Sequence, residues 1–224
     1  MKKHLRLVIA ILAIAGIAVY VFLPNEKNTN CVSADKGVLI YPSGDSLSGV
    51  GFVNISPSSF NCSLLNESGI CGLGFRFENG SRNWGRMDSL ILNLKSSPEL
   101  KEILVKILTN DPNLTKDGDQ NSIRPLIKEL SANPNQTRYS IPLTYFYVPD
   151  YWFSEHNIEK NNVKSLFSVK GIEILSGWKN PANSPLELQI ESLCAEGISN
   201  TPFVILVIYI CLLIGIAIGV RVRE

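Results

Sequence analysis

The chain has 224 residues, of which 45% are hydrophobic and 18% are charged. Its 21 Lys and Arg nearly balance its 20 Asp and Glu, so the formal net charge is +1 at pH 7. A near-neutral chain without a basic stripe is not typical of nucleic-acid-binding proteins, and we expect no nucleic-acid partner.

Two uncharged apolar stretches of membrane-spanning length lie near the ends of the chain, at residues 7–23 and 202–220. Each approaches the roughly 20 residues that a helix needs to cross a hydrocarbon core about 30 Å thick. The sequence therefore predicts two transmembrane helices, the first acting as a signal anchor. The alternative for the first stretch is a cleaved signal peptide with a small-residue site at residues 16–18.

Basic residues flank the outer end of each apolar stretch: Lys2, Lys3 and Arg6 before the first, Arg221 and Arg223 after the second. Positive residues favour the cytoplasmic side of a membrane. We therefore expect cytoplasmic tails at residues 1–6 and 221–224 and one extracytoplasmic domain at residues 24–201. This topology is typical of a two-span protein of the bacterial inner membrane with its domain in the periplasm.

Four of the five cysteines lie in this central domain, and an even number in an exported domain indicates disulfides. Cys62 and Cys71 enclose a short stretch rich in Asn and Ser, whereas Cys31 and Cys194 stand close to the two apolar stretches. We expect these to be the two disulfide pairs. Four buried free thiols are the alternative.

The central domain reads mostly as β-structure. Short apolar or alternating runs are separated by clusters of Gly, Pro, Asn and Asp, which is typical of an antiparallel sandwich. The runs lie at residues 38–41, 73–77, 90–94, 103–108, 139–148, 165–175 and 186–190.

One of these runs is ambiguous. Apolar residues between positions 100 and 108 recur at helical spacing after a helix-start pattern at Ser97. Residues 103–108 are also rich in β-branched side chains, which favour a buried strand. We favour a turn at residues 95–101 followed by a strand.

The sequence Gly-Asp-Ser-Leu-Ser at residues 44–48 matches the serine block of the GDSL esterases and would make Ser46 a nucleophile. Such a serine needs a base to take its proton. The family supplies this base from a D-x-x-H block, but Phe153 stands three positions before His156, the domain's one histidine. We therefore expect no catalytic residue and no enzyme, with an esterase built on Ser46 as an alternative.

Three acidic residues in one loop, Asp111, Asp117 and Asp119, supply oxygen ligands that would suit calcium. Their spacing is not that of an EF-hand, and a solvated acidic loop is the alternative interpretation. We expect no other cofactor and no other metal ligand.

Residues 140–153 form the most aromatic stretch of the chain, with Trp84 and Trp178 in separate turns. Aromatic rings near loops are typical of sandwiches that stack sugar rings. We take Trp84, Tyr147 and Trp152 as the candidate ligand-binding residues. The alternative is that alternate aromatic residues on a strand pack the core.

Several patterns follow one another in a recognisable order: the Trp84-Gly85-Arg86 turn before a strand, SIRP at 122–125, IPL at 141–143, GIEILSGW at 171–178 and LELQI at 186–190. Over residues 34–194 this order resembles the galactose-binding-like jelly roll, especially carbohydrate-binding modules on bacterial surface and sensor proteins. The resemblance implies a mainly β, jelly-roll ectodomain that binds a glycan. It also implies a sensor or accessory role in which a membrane or cytoplasmic signalling partner supplies the output. A structural subunit whose sandwich binds another protein is the alternative.

Gly215 and Gly219 form a G-x-x-x-G pair in the second apolar stretch, and such pairs allow two helices in lipid to approach closely. The pair predicts a homodimer through this stretch. Incidental glycine in an apolar helix is the alternative.

Overall fold

The computed structural model describes residues 11–17, 27–32, 37–44, 49–66, 69–78, 80–116, 118–160, 165–198 and 201–222. The chain divides into two compact units. One comprises Thr29–Gly197, and the other comprises the two chain ends, Met1–Asn28 and Ile198–Glu224.

Eleven strands in the described residues form two antiparallel sheets. Sheet A contains, in spatial order, β3 (Val50–Ser56), β4 (Ser59–Leu64), β11 (Pro185–Ile198), β6 (Ser89–Ser96) and β9 (Arg138–Pro142), and β1 (Lys27–Cys31) also pairs with β11. Sheet B contains β2 (Val38–Gly44), β5 (Cys71–Phe77), β10 (Val169–Ser176), β7 (Glu102–Thr109) and β8 (Arg124–Ser131). The described helices are α1 (residues 11–17), α2 (Asp150–Glu155) and α3 (Thr201–Val222).

The pairing of strands β4 to β11 has the order of a jelly roll. β4 pairs with β11, β5 with β10, β6 with β9 and β7 with β8. The first half of the series thus pairs with the second half in reverse, as it does when a long hairpin is rolled into two facing sheets. The mainly β, jelly-roll sandwich predicted from the sequence is confirmed.

The core lies between the two sheets, because side chains on a strand alternate between its two faces. Phe60, Cys62 and Leu64 of β4 point into the core while their neighbours point outward. On sheet B the same alternation buries Phe75 of β5 and Ile172 of β10. The outward face of sheet B is partly covered, since Leu104, Ile127 and Leu175 form a second, smaller buried cluster there.

The ambiguous run is strand β7, as we favoured, with Ile103, Val105 and Ile107 in the core. The run at residues 139–148, predicted as β-structure, is a strand only in its first part. Its strand ends at Pro142, where a short 3-10 helix (Leu143–Tyr145) begins, and α2 follows. Strands β1, β3, β4 and β8 were not among the predicted runs.

Both predicted disulfides are present: Cys31 is bonded to Cys194, and Cys62 to Cys71. The first joins β1 to β11, and the second joins β4 of sheet A to β5 of sheet B. The second pair therefore links the two sheets of the sandwich at one connection.

The unit formed by the chain ends contains α1 and α3. The hydroxyl of Tyr209 in α3 donates a 2.9 Å hydrogen bond to the carbonyl oxygen of Leu12 in α1. A Cβ atom on Gly16 would overlap the Tyr209 ring, so glycine permits this contact. Within the described residues, no helix combines the length and the apolarity that crossing a membrane requires. The two transmembrane helices predicted from the sequence are not supported by this finding.

Candidate functional site

The outer face of sheet B presents a row of side chains from four neighbouring strands. Tyr41 on β2 lies opposite Gly74 on β5, which lies opposite Glu173 on β10, which lies opposite Lys106 on β7. Residues directly opposite one another on adjacent antiparallel strands point to the same face. Tyr41, Glu173 and Lys106 are therefore neighbours on one surface.

The ring of Tyr41 lies across the backbone of Gly74. A Cβ atom on Gly74 would overlap this ring, so only glycine at that position lets the ring rest on the sheet. The guanidinium carbon of Arg76, two residues further along β5, is 5.2 Å from the centre of the ring. The ring is half-buried and fixed in orientation by these contacts.

Glu173 is the buried acid at the centre of the row. One carboxylate oxygen, Oε1, accepts a 2.9 Å hydrogen bond from the Tyr41 hydroxyl, and Oε2 is 3.4 Å from Nζ of Lys106. Burial, followed by the charge of Glu173, raises the pKa of Tyr41, and the nearby Arg76 opposes this shift. The phenol is therefore neutral at physiological pH and acts as a donor to Glu173.

Two further tyrosines flank this row. Tyr147 is 42% exposed; its backbone pairs with Ile127 of β8, and its hydroxyl donates to Glu129. Tyr151 of α2 is 45% exposed. Burial, then the carboxylates of Glu155 and Glu173, raise the pKa of Tyr151. Glu173 thus contributes to the raised pKa of both Tyr41 and Tyr151.

We call this surface the tyrosine face and define it by Tyr41, Tyr147, Tyr151, Glu173 and Lys106. It offers flat aromatic surface next to a fixed carboxylate and an ammonium group. Binding sites for small molecules combine apolar and aromatic area with a few well-placed polar groups in this way. The tyrosine face therefore suits a ligand with an apolar face and a polar edge.

Two of the three ligand-binding residues predicted from the sequence are core residues instead. Trp84 has no exposed surface, and Trp152 is only 2% exposed. The indole Nε1 of Trp152 donates a 3.2 Å hydrogen bond to the carbonyl oxygen of Ile123, and its ring stacks on His156. A buried ring has no face to offer a ligand in solution, so the prediction is corrected for both tryptophans. Tyr147 alone of the three lies on the tyrosine face.

Sequence reasoning missed Tyr41, Tyr151 and Glu173. Each had a signal in the sequence: Tyr41 ends an apolar run, Tyr151 belongs to the aromatic stretch, and Glu173 interrupts an apolar strand. An acid between apolar residues on a central strand requires partners when it is buried. That requirement would have identified Glu173, but not the residues that satisfy it.

The other predicted chemistry is only partly within the described residues. Ser46 and the rest of its motif after Gly44, residues 45–48, lie outside them. His156 is placed by core contacts, with Nδ1 2.9 Å from the carbonyl oxygen of Trp152.

In the predicted calcium loop, the first carboxylate, that of Asp111, is bound by other groups of the protein. Asp111 is buried, forms an ion pair with Arg124 and accepts a 2.9 Å hydrogen bond from the amide of Asn113. Asp119 accepts a hydrogen bond from the amide of Asn121, and Asp117 lies outside the described residues. In the part of the chain that the structure describes, no group of three His, Cys, Asp or Glu side chains is arranged to hold a metal ion.

Both residues of the predicted helix-packing pair lie in α3. Among the described residues, no heavy atom lies within 4 Å of the point where a Cβ atom on Gly215 would stand. The contact between α1 and α3 uses Gly16 instead. Within the part of the chain that the structure describes, the position next to Gly215 is therefore open.

This protein resembles known proteins in its structure but not in its sequence. No family model and no curated protein matches this sequence. The similar solved structures include carbohydrate-binding modules. A family 11 module from Clostridium thermocellum, in complex with a β-1,3-1,4-mixed-linked tetrasaccharide, is 13% identical, with a TM-score of 0.44, and the match covers 77% of this chain and 89% of that one. A family 30 module is 9% identical, with a TM-score of 0.49 and coverage of 77% and 99%. The family 30 module of a cellulosomal cellulase of Clostridium thermocellum is 7% identical, with a TM-score of 0.48 and coverage of 75% and 96%.

Proposed function

We propose that this protein is a non-catalytic carbohydrate-binding protein and that it binds glycans on the tyrosine face. The single observation that carries the proposal is the half-buried ring of Tyr41, held flat on sheet B by Gly74 and by its hydrogen bond to Glu173. A ring held in place before binding loses little conformational freedom when a ligand stacks on it.

The polar groups of the tyrosine face suit the edge of a sugar. The carboxylate of Glu173 accepts hydrogen bonds, the ammonium group of Lys106 donates them, and a phenol hydroxyl does both. Sugar hydroxyls are themselves donors and acceptors, whereas the C–H face of a pyranose is apolar. A saccharide thus satisfies the rings and the charged groups of this surface together.

We further propose that the protein is attached to a membrane and serves in sensing or accessory recognition of envelope glycans on the outer side of a bacterial inner membrane. Support comes from the two uncharged apolar stretches and from the basic residues outside them. Large apolar side chains of α3, including Phe203, Ile205 and Ile208, are exposed in the chain by itself. A membrane or signalling partner would then carry the output, and α3 offers a surface for self-association. The alternative is a structural subunit whose sandwich binds another protein.

A glycan array probed with the full chain tests the proposal. We expect binding to one class of glycan, with affinity reduced about tenfold or more by Tyr41→Ala or Tyr147→Ala. Phe167→Ala is the control, because Phe167 is another well-exposed aromatic residue and packs against Gly85 outside the tyrosine face. Absence of glycan binding by the folded wild-type chain, or equal losses in all three variants, would contradict the proposal.

A further inference from the structure

The loop between β10 and β11 presents an aromatic ring to solvent outside the tyrosine face. Trp178 is 40% exposed and lies beside an open cavity of about 450 Å³. The other lining residues are Lys101, Lys179, Asn180 and Pro181. An exposed indole between two lysines is a different chemical environment from the tyrosine face, which has a carboxylate at its centre.

The buried side chain of Asn180 holds this loop in place. Its Oδ1 accepts hydrogen bonds from the backbone amides of Lys101 and Glu102, at 2.6 and 3.1 Å. Its Nδ2 donates to the carbonyl oxygens of Glu102 and Gly177, both at 2.9 Å. The amide group thus makes four hydrogen bonds to the backbone, and the loop is rigid without a ligand.

Glu102, also buried, fixes Trp178 itself. Its Oε1 accepts a 3.0 Å hydrogen bond from the backbone amide of Trp178, and its Oε2 is 3.0 Å from Nζ of Lys179. A Cβ atom on Gly177 would overlap the Glu102 side chain, so glycine allows the loop to approach the strand this closely. The backbone position of Trp178 is therefore set by the fold.

Strand β7 connects the partner of Trp178 to the tyrosine face. Glu102 and Lys106 are both outward residues of β7, four positions apart, which corresponds to roughly 13 Å along a strand. The carboxylate of Glu102 is also one of the charges that raise the pKa of Tyr147. An oligosaccharide, but not a single sugar, is long enough to contact both places.

The two lysines give the loop a positive charge, which favours a negatively charged ligand. The side chain of Lys179 is 81% exposed although its Nζ pairs with the buried carboxylate of Glu102, so a ligand can approach the ammonium group without breaking that pair. Lys101 donates a 2.7 Å hydrogen bond from Nζ to the carbonyl oxygen of Pro98, an uncharged partner that leaves its positive charge in place. Both lysines line the cavity together with Trp178.

We propose that Trp178, Lys101 and Lys179 form a second contact site that binds a carboxylate-bearing sugar residue of the glycan held by the tyrosine face. This inference rests on the proposed function and names the class of glycan: an acidic oligosaccharide of the uronic-acid type. The sugar ring stacks on the indole, and its carboxylate pairs with the lysines.

The experiment compares two oligosaccharides that differ in one group. The full chain is titrated by calorimetry with a neutral oligosaccharide selected on the array and with the same compound after oxidation of its hydroxymethyl groups to carboxylates. We expect the acidic form to bind about tenfold more tightly at low salt, with the advantage shrinking as added salt screens the charges. Lys101→Gln combined with Lys179→Gln should remove this advantage, so that the two compounds bind with equal affinity.

Trp178→Ala should weaken binding of both compounds, because the ring serves both. Lys95→Gln, on the outer face of sheet A, is the matched control and should change neither affinity. Equal affinities for the two compounds in the wild type, or an acidic preference that survives the double lysine substitution, would overturn this inference alone. Absence of binding of either compound would overturn the proposed function together with the inference.

Discussion

The hydroxyl of Tyr41 donates a 2.9 Å hydrogen bond to Oε1 of Glu173, although the two residues are 132 positions apart in the chain. Tyr41→Phe removes this donor and keeps the ring. A hydrogen bond to a charged group contributes about 2 kcal/mol, and we expect the free energy of unfolding to fall by that amount. Chemical denaturation measures the change. Tyr145→Phe, at a well-exposed tyrosine, is the control; equal losses in the two variants would show that the bond to Glu173 has no special weight.

Truncation of Trp152 and of Trp178 should affect the stability of the protein to very different extents. Trp152 is buried, and Trp152→Ala should lower the free energy of unfolding by about 3–5 kcal/mol. Trp178 is exposed, and Trp178→Ala should change it by no more than about 0.5 kcal/mol. Thermal melts of both variants decide the matter. A small shift for Trp152→Ala would mean that its ring is a surface residue after all.

Tyr147 should make the protein less stable at alkaline pH. Burial and the hydrogen bond to Glu129 raise its pKa to about 12 from an ordinary value of 10.0. Because the raised pKa belongs to the folded state, the contribution to stability is complete below pH 10 and is lost as pH rises towards 12. Unfolding measured on either side of pH 10 should show a smaller decline in Tyr147→Phe than in the wild type. Parallel declines in the two proteins would refute the assignment.

The disulfides should differ in their contribution because they close loops of different length. The pair Cys31–Cys194 has a sequence separation of 163, and the pair Cys62–Cys71 a separation of 9. In the chain-entropy model these loops correspond to about 5 and about 3 kcal/mol, respectively. Replacing each pair by serine and measuring the melting temperature tests the order. A larger loss from the short loop would point to packing around Cys62 and Cys71, not chain entropy, as the dominant effect.

The glycines of the terminal helices should separate contacts within the chain from contacts between chains. Gly16→Ile would overlap the Tyr209 ring and should disturb the pairing of α1 with α3. Gly215→Ile meets no described atom of the same chain within 4 Å, so it should leave that pairing intact. Disulfide crosslinking between introduced cysteines in α1 and α3 reports the pairing. Loss of self-association in Gly215→Ile alone would locate a contact with a second chain at that glycine.

Several features of the molecule follow from the sequence by itself. The alternation of apolar residues in 90–94 and 103–108 determines strands with one face in a core, because side chains on a strand alternate with period two. The positions of the cysteines in the chain predicted the two disulfide pairs, and both are present. The order of strands and turns predicted a jelly roll, which the pairing of β4 to β11 confirms.

The site was decided by tertiary structure. The alternation of side chains along a strand shows that Tyr41 and Glu173 lie on outward faces. It does not show that β5 stands between their two strands, or that β5 carries a glycine where the ring of Tyr41 needs room. It also does not distinguish Trp152, which α2 turns into the core, from Trp178, which Asn180 and Glu102 hold at the surface. An aromatic residue is equally suited to a core and to a binding surface, since both bury its ring. Which of the two it joins depends on the neighbours that strands distant in sequence bring to it, and those neighbours exist only once the sheets have formed.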